Sequence, residues 1–248
     1  MPSPHQPQPL SPPTGGIVIL DKPPTMSSMR AVAIVKRRTG CKAGHAGTLD
    51  PLATGVLVVG VGSATRILDQ LMRTQKKYHT TIDLSAFTPT DDVEGDREEI
   101  DVASPPTHEV IEALLHERFT GSYLQQPPSF SAKKVGGRRA YKLARKGITP
   151  VLEPREVHVH SIELVSYEWP MLGVHVHSEH GFYVRSLARE LGAELHTGGH
   201  CATIRRTAVG PFTLSEATDP DALPDPLPLE ALLPAEQALD RVAFSRSG

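Results

Sequence analysis

Cysteine is nearly absent from this chain of 248 residues, which holds only Cys41 and Cys201. Two thiols build neither a disulfide framework nor a four-cysteine zinc site, and such usage fits a reducing compartment. Long apolar runs are missing too. No stretch approaches the length of a membrane span, and the start, MPSPHQPQPLSPP, has neither the basic beginning nor the apolar centre of a secretory signal. A cytoplasmic protein is expected. The sequence also lacks a phosphate-binding P-loop and the glycine fingerprint of a dinucleotide site, so no nucleotide or flavin is called for. An excess of positive charge is missing as well: 26 Lys and Arg stand against 28 Asp and Glu for a net value of −2, which at first argues against a nucleic-acid partner.

The distribution of charge reverses that argument. Residues 121–152 contain no Asp or Glu, yet Lys133, Lys134, Arg138, Arg139, Lys142, Arg145 and Lys146 carry seven positive charges, which leaves −9 for the remainder. A segment so segregated is an electrostatic footprint for a polyanion, the alternative being a solvated basic helix face. Phe130, Tyr141 and the Gly136-Gly137 pair accompany the cations, a combination suited to tracking a backbone and stacking on bases. An apolar fraction of 39% and a charged fraction of 22% describe an ordinary globular protein with ample length for a core.

Six prolines in residues 1–14 predict a disordered leader. The run GIVIL at 16–20 reads as the first strand. Ser27 or Ser28 caps a predicted helix to about 38, with Met29, Val32, Ala33 and Val35 inward and Gly40 as terminator. Ser63 is expected to cap a second helix that turns Ile67, Leu68 and Leu71 inward. Alternation predicts a strand over 76–84, a helix follows at 107–119, and a short one is expected at 141–146. VHVH occurs twice, at 157–160 and 174–177. Four converging imidazoles could bind zinc, but alternation is what any half-exposed strand shows, and no cysteine or carboxylate stands at ligand spacing. No metal is therefore expected. A helix opens near 181 with Leu187, Leu191 and Leu195 on one stripe. After 214 the chain is acidic and proline-rich, with one short helix expected at 229–239.

The stretch that organises the rest is GHAGTLDPLATGVL, residues 44–57. Its glycines and proline turn the backbone repeatedly, and the apolar run at 56–61 pins the loop to a buried strand. Asp50 precedes Pro51, which bars it from a helix interior and mounts its carboxylate on a loop edge. On its own an aspartate there reads as an Asx-turn.

This stretch resembles the signature loop of the TruB-type tRNA pseudouridine synthases, whose essential aspartate follows Gly-Thr-Leu. Further segments resemble that family in order. DKPPT at 21–25 is similar to its opening motif, with Thr25 where glycine is usual, so the turn geometry is expected to differ and Lys22 to do no more than pack and pair locally. KKY at 76–78 is similar to the Lys-x-Tyr strand. TPTDDVEG at 88–95 resembles a family turn with Asp92 at the aspartate position, read from sequence as a surface acidic turn. The Gln-x-Pro-Pro and Ser-Ala-x-Lys elements at 125–134 match the RNA-gripping insertion. GFYVR at 181–185 and IRRTAVG at 204–210 match the two closing motifs, with Ile204 in place of leucine.

The resemblance implies an α+β fold: a mixed, mostly antiparallel central sheet flanked by helices over 15–214, with a basic RNA-binding insertion at about 121–152. It implies that Asp50 is the catalytic carboxylate, that Arg185 lies against it, and that Tyr78 stacks on the target base. Tyr183 and Ile204 would line the pocket and His45 would meet the RNA near the flipped nucleotide. Lys133, Lys134, Arg138, Arg139 and Tyr141 would hold the RNA. The reaction moves the glycosidic bond of uridine from N1 to C5, spends no electron or phosphate, and needs no cofactor. Asp50 could add to the ring, attack the anomeric carbon or remove a sugar proton. Burial alone silences a carboxylate, whereas a guanidinium in contact keeps it charged. The expected substrate is uridine 55 in the T-loop of tRNA, handled by a monomer without guide RNA or protein partner, since 215–248 is too short for the extra RNA-binding domain of many relatives. An RNA-binding protein whose aspartate is inert, or an N-glycosidase that cuts the same bond, are the competing readings.

Overall fold

The computed structural model describes residues 14–130, 134–135, 138–139 and 152–247, with 134–135, 138–139 and 246–247 described as backbone only. The expected leader lies outside the described residues except for Thr14, and so does the helix expected at 141–146.

Small and β-branched residues dominate β1 (Gly15–Lys22) and β3 (Thr54–Gly62), which pair antiparallel along the whole of β1. Successive strand side chains point to opposite faces. Leu57, Val59 and Val61 accordingly enter the larger hydrophobic core, and Val56 and Val58 enter a smaller one. Burial on both faces explains why β3 reads as an unbroken apolar run.

The main sheet continues from β1 and β3 through β12 (His200–Val209), β4 (Lys76–Asp83), β11 (Met171–Ser178) and β10 (Arg155–Glu168) to β7 (Gly121–Gln125). β2 (Ala43–His45) pairs with β3, and β13 (Phe212–Thr213) with β12. Among the described residues, every pairing of one strand with another is antiparallel except a short parallel contact in which Arg205 and Arg206 of β12 face Thr54 and Gly55 of β3. The class is therefore α+β with a mixed, mostly antiparallel sheet. Two small hairpins, β5 (Ala86–Phe87) with β6 (Glu98–Glu99) and β8 (Lys134–Val135) with β9 (Arg138–Arg139), stand apart from it.

Helix α1 (Ser28–Thr39) starts where Ser27 accepts the Arg30 N–H and stops at Gly40 in the left-handed conformation. Its buried stripe is Ser28, Ala31, Val32 and Val35, joined by Ile34. Met29 is 63% exposed and Ala33 also faces solvent, contrary to the expected inner face. The reason is Ser28, whose hydroxyl exchanges hydrogen bonds with the Leu49 backbone and so fixes the helix rotation. Ser63 caps no helix; it opens a 3₁₀ turn, Ser63–Ile67, that runs into α2 (Leu68–Met72), and it accepts a bond from Thr14. Helices α3 (His108–Phe119) and α4 (Val184–Glu194) cover the larger core.

The chain after 214 is bound to the sheet edge. Leu233 exchanges backbone hydrogen bonds with Ile17, and Thr218 with Ile19 and Asp21, which covers the otherwise open side of β1. The terminal helix is α5 (Ala235–Ser247) rather than one at 229–239. Pro234 sets the boundary, because a proline has no N–H to give to a helix interior but fits a helix start.

Candidate active site

Residues 46–53 are held from three sides. Leu49 is bonded to Ser28, the Arg206 guanidinium donates to the Gly47 carbonyl at 3.1 Å, and the Lys22 ammonium donates to the Pro51 carbonyl at 3.2 Å. Lys22 is fully buried and also donates to the Pro23 and Met26 carbonyls, at 2.9 and 2.6 Å. It therefore packs and pairs locally, as expected, and in addition joins the opening loop to the aspartate loop. Burial lowers its pKa to about 8 despite the nearby Asp50. Thr25 adopts a φ of 62°, the left-handed backbone that suits glycine.

The Asp50 carboxylate lies 2.9 Å from the Arg185 guanidinium, with side-chain exposures of 39% and 6%. Among the described residues no hydrogen bond ties that carboxylate to its own loop, so it is not engaged in an Asx-turn. Arg185 is the second residue of α4. There it donates to the Thr90 carbonyl at 2.8 Å and the Phe130 carbonyl at 2.9 Å, and it approaches Asp92 at 3.6 Å. Burial would lower its pKa, but Asp50, Asp92 and Asp91 outweigh that and raise it. Asp92 is 2% exposed, which corrects its reading as a surface turn. Its other oxygen accepts the Thr90 hydroxyl and the Glu94 N–H, and its backbone bridges to Cys201 in β12. Asp91 pairs with Arg189 one turn further along α4, and burial raises its pKa to about 6.

Around this ion pair lies a cavity of about 460 Å³, within the range of small-ligand pockets. Asp50, Tyr78, Tyr183, Arg185 and Ile204 all line it, together with Arg206 and Lys76. Gln125 at the end of β7 accepts the Tyr183 N–H and donates to its carbonyl, at 2.8 and 3.1 Å, while Arg155 lies 5.0 Å over the Tyr183 ring. The glutamine of the Gln-x-Pro-Pro element is thus a buried clamp on a pocket residue. Burial raises the Tyr78 phenol pKa, with the positive charge of the nearby Arg206 opposing that rise. His45 ends β2, outside the pocket lining. Lys133 and Tyr141 lie outside the described residues, as do the side chains of Lys134, Arg138 and Arg139.

His175 of β11 packs against His79, ring centroids 4.9 Å apart, while the other three histidines of β10 and β11 lie side by side, with the His160 ring centroid 4.8 Å from that of His158 and 4.6 Å from that of His177. Each has its own partner: Ser122 for His158, Glu179 for His160 and Gln75 for His177. Among the described residues no group of three His, Cys, Asp or Glu side chains is set to hold a metal. No described helix is long and apolar enough to cross a membrane.

The chain belongs to the pseudouridine synthases: residues 33–184 match the family described as TruB family pseudouridylate synthase (N terminal domain). It is 46% identical over 220 residues to the tRNA pseudouridine synthase B of Thermobifida fusca (strain YX), covering 84% of this chain and 74% of that one. It is equally 46% identical over 216 residues to the protein of that name from Mycobacterium sp. (strain KMS), covering 85% and 72%. Among solved structures, a Cbf5-Nop10-Gar1 complex matches with a TM-score of 0.62 and 31% identity over 81% of this chain, which spans half of the matched one.

Proposed function

We propose that this protein isomerises uridine to pseudouridine at position 55 in the T-loop of tRNA, by flipping the target nucleotide into the cavity and acting on it with the Asp50 carboxylate. The observation that carries the reading is the Asp50–Arg185 contact of 2.9 Å on the wall of a cavity that two tyrosines also line. A uridine inside a folded loop must leave its stack to reach that carboxylate, at a cost of a few kcal/mol. Stacking on an aromatic ring returns ~1–3 kcal/mol. Tyr78 takes that part, Tyr183 and Ile204 enclose the base, and His45 meets the RNA beside it. Lys133, Lys134, Arg138, Arg139 and Tyr141 hold the RNA backbone. The bond rearrangement conserves electrons and atoms, so the reaction runs without a cofactor.

We place the enzyme in the cytoplasm, as a monomer acting without a guide. The likeness to a chain from a complex with two protein partners favours a second reading, in which this protein too works in an assembly. One experiment separates them: purified protein is incubated with an unmodified tRNA transcript and pseudouridine is mapped. Modification at position 55 supports the stand-alone enzyme, and its appearance only with added RNA or protein supports the assembly. Asp50→Asn is expected to abolish modification while RNA affinity persists. Unchanged modification by the pure variant overturns the mechanism, and free uracil as product would point to glycosidase chemistry.

A further inference from the structure

A uridine swung out of an RNA loop stays joined to its neighbours through a phosphate on each side, so anionic groups come to rest at the rim of the cavity that takes the base. Among the described residues, the lysines and arginines lining that cavity are Arg73, Lys76, Arg155, Arg185 and Arg206. All but Arg73 are committed elsewhere. Arg185 is held by Asp50, Asp92 and two backbone carbonyls. Arg206 is 2% exposed and donates to the Val56 and Gly47 carbonyls at 2.8 and 3.1 Å. Arg155 donates to the Gly181 carbonyl and lies over the Tyr183 ring. Lys76 is 6% exposed, and its ammonium donates to the Met72 and Thr74 carbonyls.

Arg73 follows the last residue of α2, and its side chain is 63% exposed although it lines the cavity, which puts it at the rim. Asp69, equally exposed, accepts from its Nε at 2.9 Å. Among the described residues the guanidinium makes no other hydrogen bond, so its two terminal nitrogens keep their N–H donors unengaged. An exposed pair of this kind is weak and is screened by salt, so Asp69 does not commit Arg73 as burial commits the others. The backbone beneath is fixed, because the Lys76 ammonium bridges the carbonyls on either side of Arg73, and Leu71 and Thr74 are buried. We propose that Arg73 is a phosphate-binding residue: its terminal nitrogens take a backbone phosphate next to the target uridine, in the fork geometry that suits guanidinium and phosphate. The proposal rests on the functional reading above, because the phosphate arrives with a nucleotide that enters the cavity.

The test pairs a change in the protein with a change in the RNA. Arg73→Gln, at an exposed position, is expected to leave the melting temperature unchanged and to weaken binding of a synthetic T-stem-loop RNA ~3- to 10-fold. The slope of log affinity against log salt should become shallower by ~0.7–0.9, the value of one lost phosphate contact. Stem-loops carrying a single uncharged methylphosphonate linkage, placed in turn at each position flanking the target uridine, then locate the phosphate. At one position the linkage should weaken wild-type binding by the same factor as Arg73→Gln, and should cost the Arg73→Gln protein less than about twofold more. If every linkage weakens both proteins equally, or if Arg73→Gln leaves the salt slope as steep as in the wild type, the proposal is overturned. Wild-type protein that binds this RNA without making pseudouridine would overturn the functional reading instead. The linkage comparison reads binding alone, so it still decides whether Arg73 holds a phosphate.

Discussion

At the scale of single residues, Arg185 shows how charge is arranged around the cavity. One guanidinium is shared between Asp50, which is partly open to the cavity, and Asp92, which is not. Asp92 is locked by the Thr90 hydroxyl and the Glu94 amide, so it is a fixed charge that Arg185 must face. Asp92→Asn keeps the acceptor oxygen and removes the charge. Arg185 then turns more fully to Asp50 and its geometry loosens, and we expect single-turnover pseudouridine formation to fall ~10-fold, equivalent to about 1.4 kcal/mol. Thr25 makes a prediction of another kind. A β-branched residue at φ 62° is strained, and Thr25 is exposed, so little packing is lost on removing its side chain. Thr25→Gly should stabilise the fold by ~1 kcal/mol and raise the melting temperature ~2–4 °C, readable by thermal denaturation.

At the scale of elements, the decisive feature is the parallel contact between β3 and β12. It brings Ile204 and Arg206 beside the loop that carries Asp50, and it is only two residues long. Gly55 permits it: its φ is +100°, and a Cβ there would lie 2.2 Å from the Arg206 carbonyl oxygen. Gly55→Ala is therefore expected to cost ~3 kcal/mol or more and lower the melting temperature ~10 °C, with activity lost before the fold. Such long-range approaches separate what the sequence displays from what it hides. The cap and stop of α1 are local chemistry, and Ser27 and Gly40 display them. The facing of α1 is not local, because it depends on Ser28 meeting Leu49, and Met29 is apolar whether or not it is buried. Asp50 and Arg185 could be singled out through motif resemblance. Asp92 could not be weighed the same way, since TPTDD has the composition of a surface turn and only α4 and β12 bury it. Arg206 was visible merely as one of two adjacent arginines. Strand alternation would have placed it on the Ile204 face, but not opposite Tyr78.

At the scale of the whole molecule, the cavity is bordered by two buried amines with opposite consequences for binding and for stability. Lys76 lines it and Lys22 lies under the aspartate loop. Burial lowers the Lys76 pKa to about 7, helped by Arg206, and that of Lys22 to about 8. An unfolded chain holds both protons up to about pH 10.4. Between the folded and unfolded values the unfolded state binds more protons, so stability contributed by these groups rises with pH across that window and is lost as pH falls towards 7. The slope approaches about 1.4 kcal/mol per pH unit for each group. Tyr123 and Cys201 act in the opposite sense only at higher pH, because burial moves the Tyr123 phenol well above its ordinary value and the thiol up to about 12. We therefore expect urea-unfolding free energies to increase from pH 7 to pH 9, against the common pattern of a maximum near neutrality. Lys76→Met removes one of the two groups while leaving an unbranched chain of similar length in its place. Its stability should exceed the wild type's most at pH 7, and the gap should narrow steadily through pH 9, closing only near the unfolded value of about 10.4. A difference between the two proteins that stays constant from pH 7 to pH 9 would show that Lys76 remains fully charged in the folded protein. The same shift matters to the RNA: a lysine that has released its proton adds nothing to counterion release, so Lys76→Met should leave the salt dependence of RNA binding unchanged at pH 8.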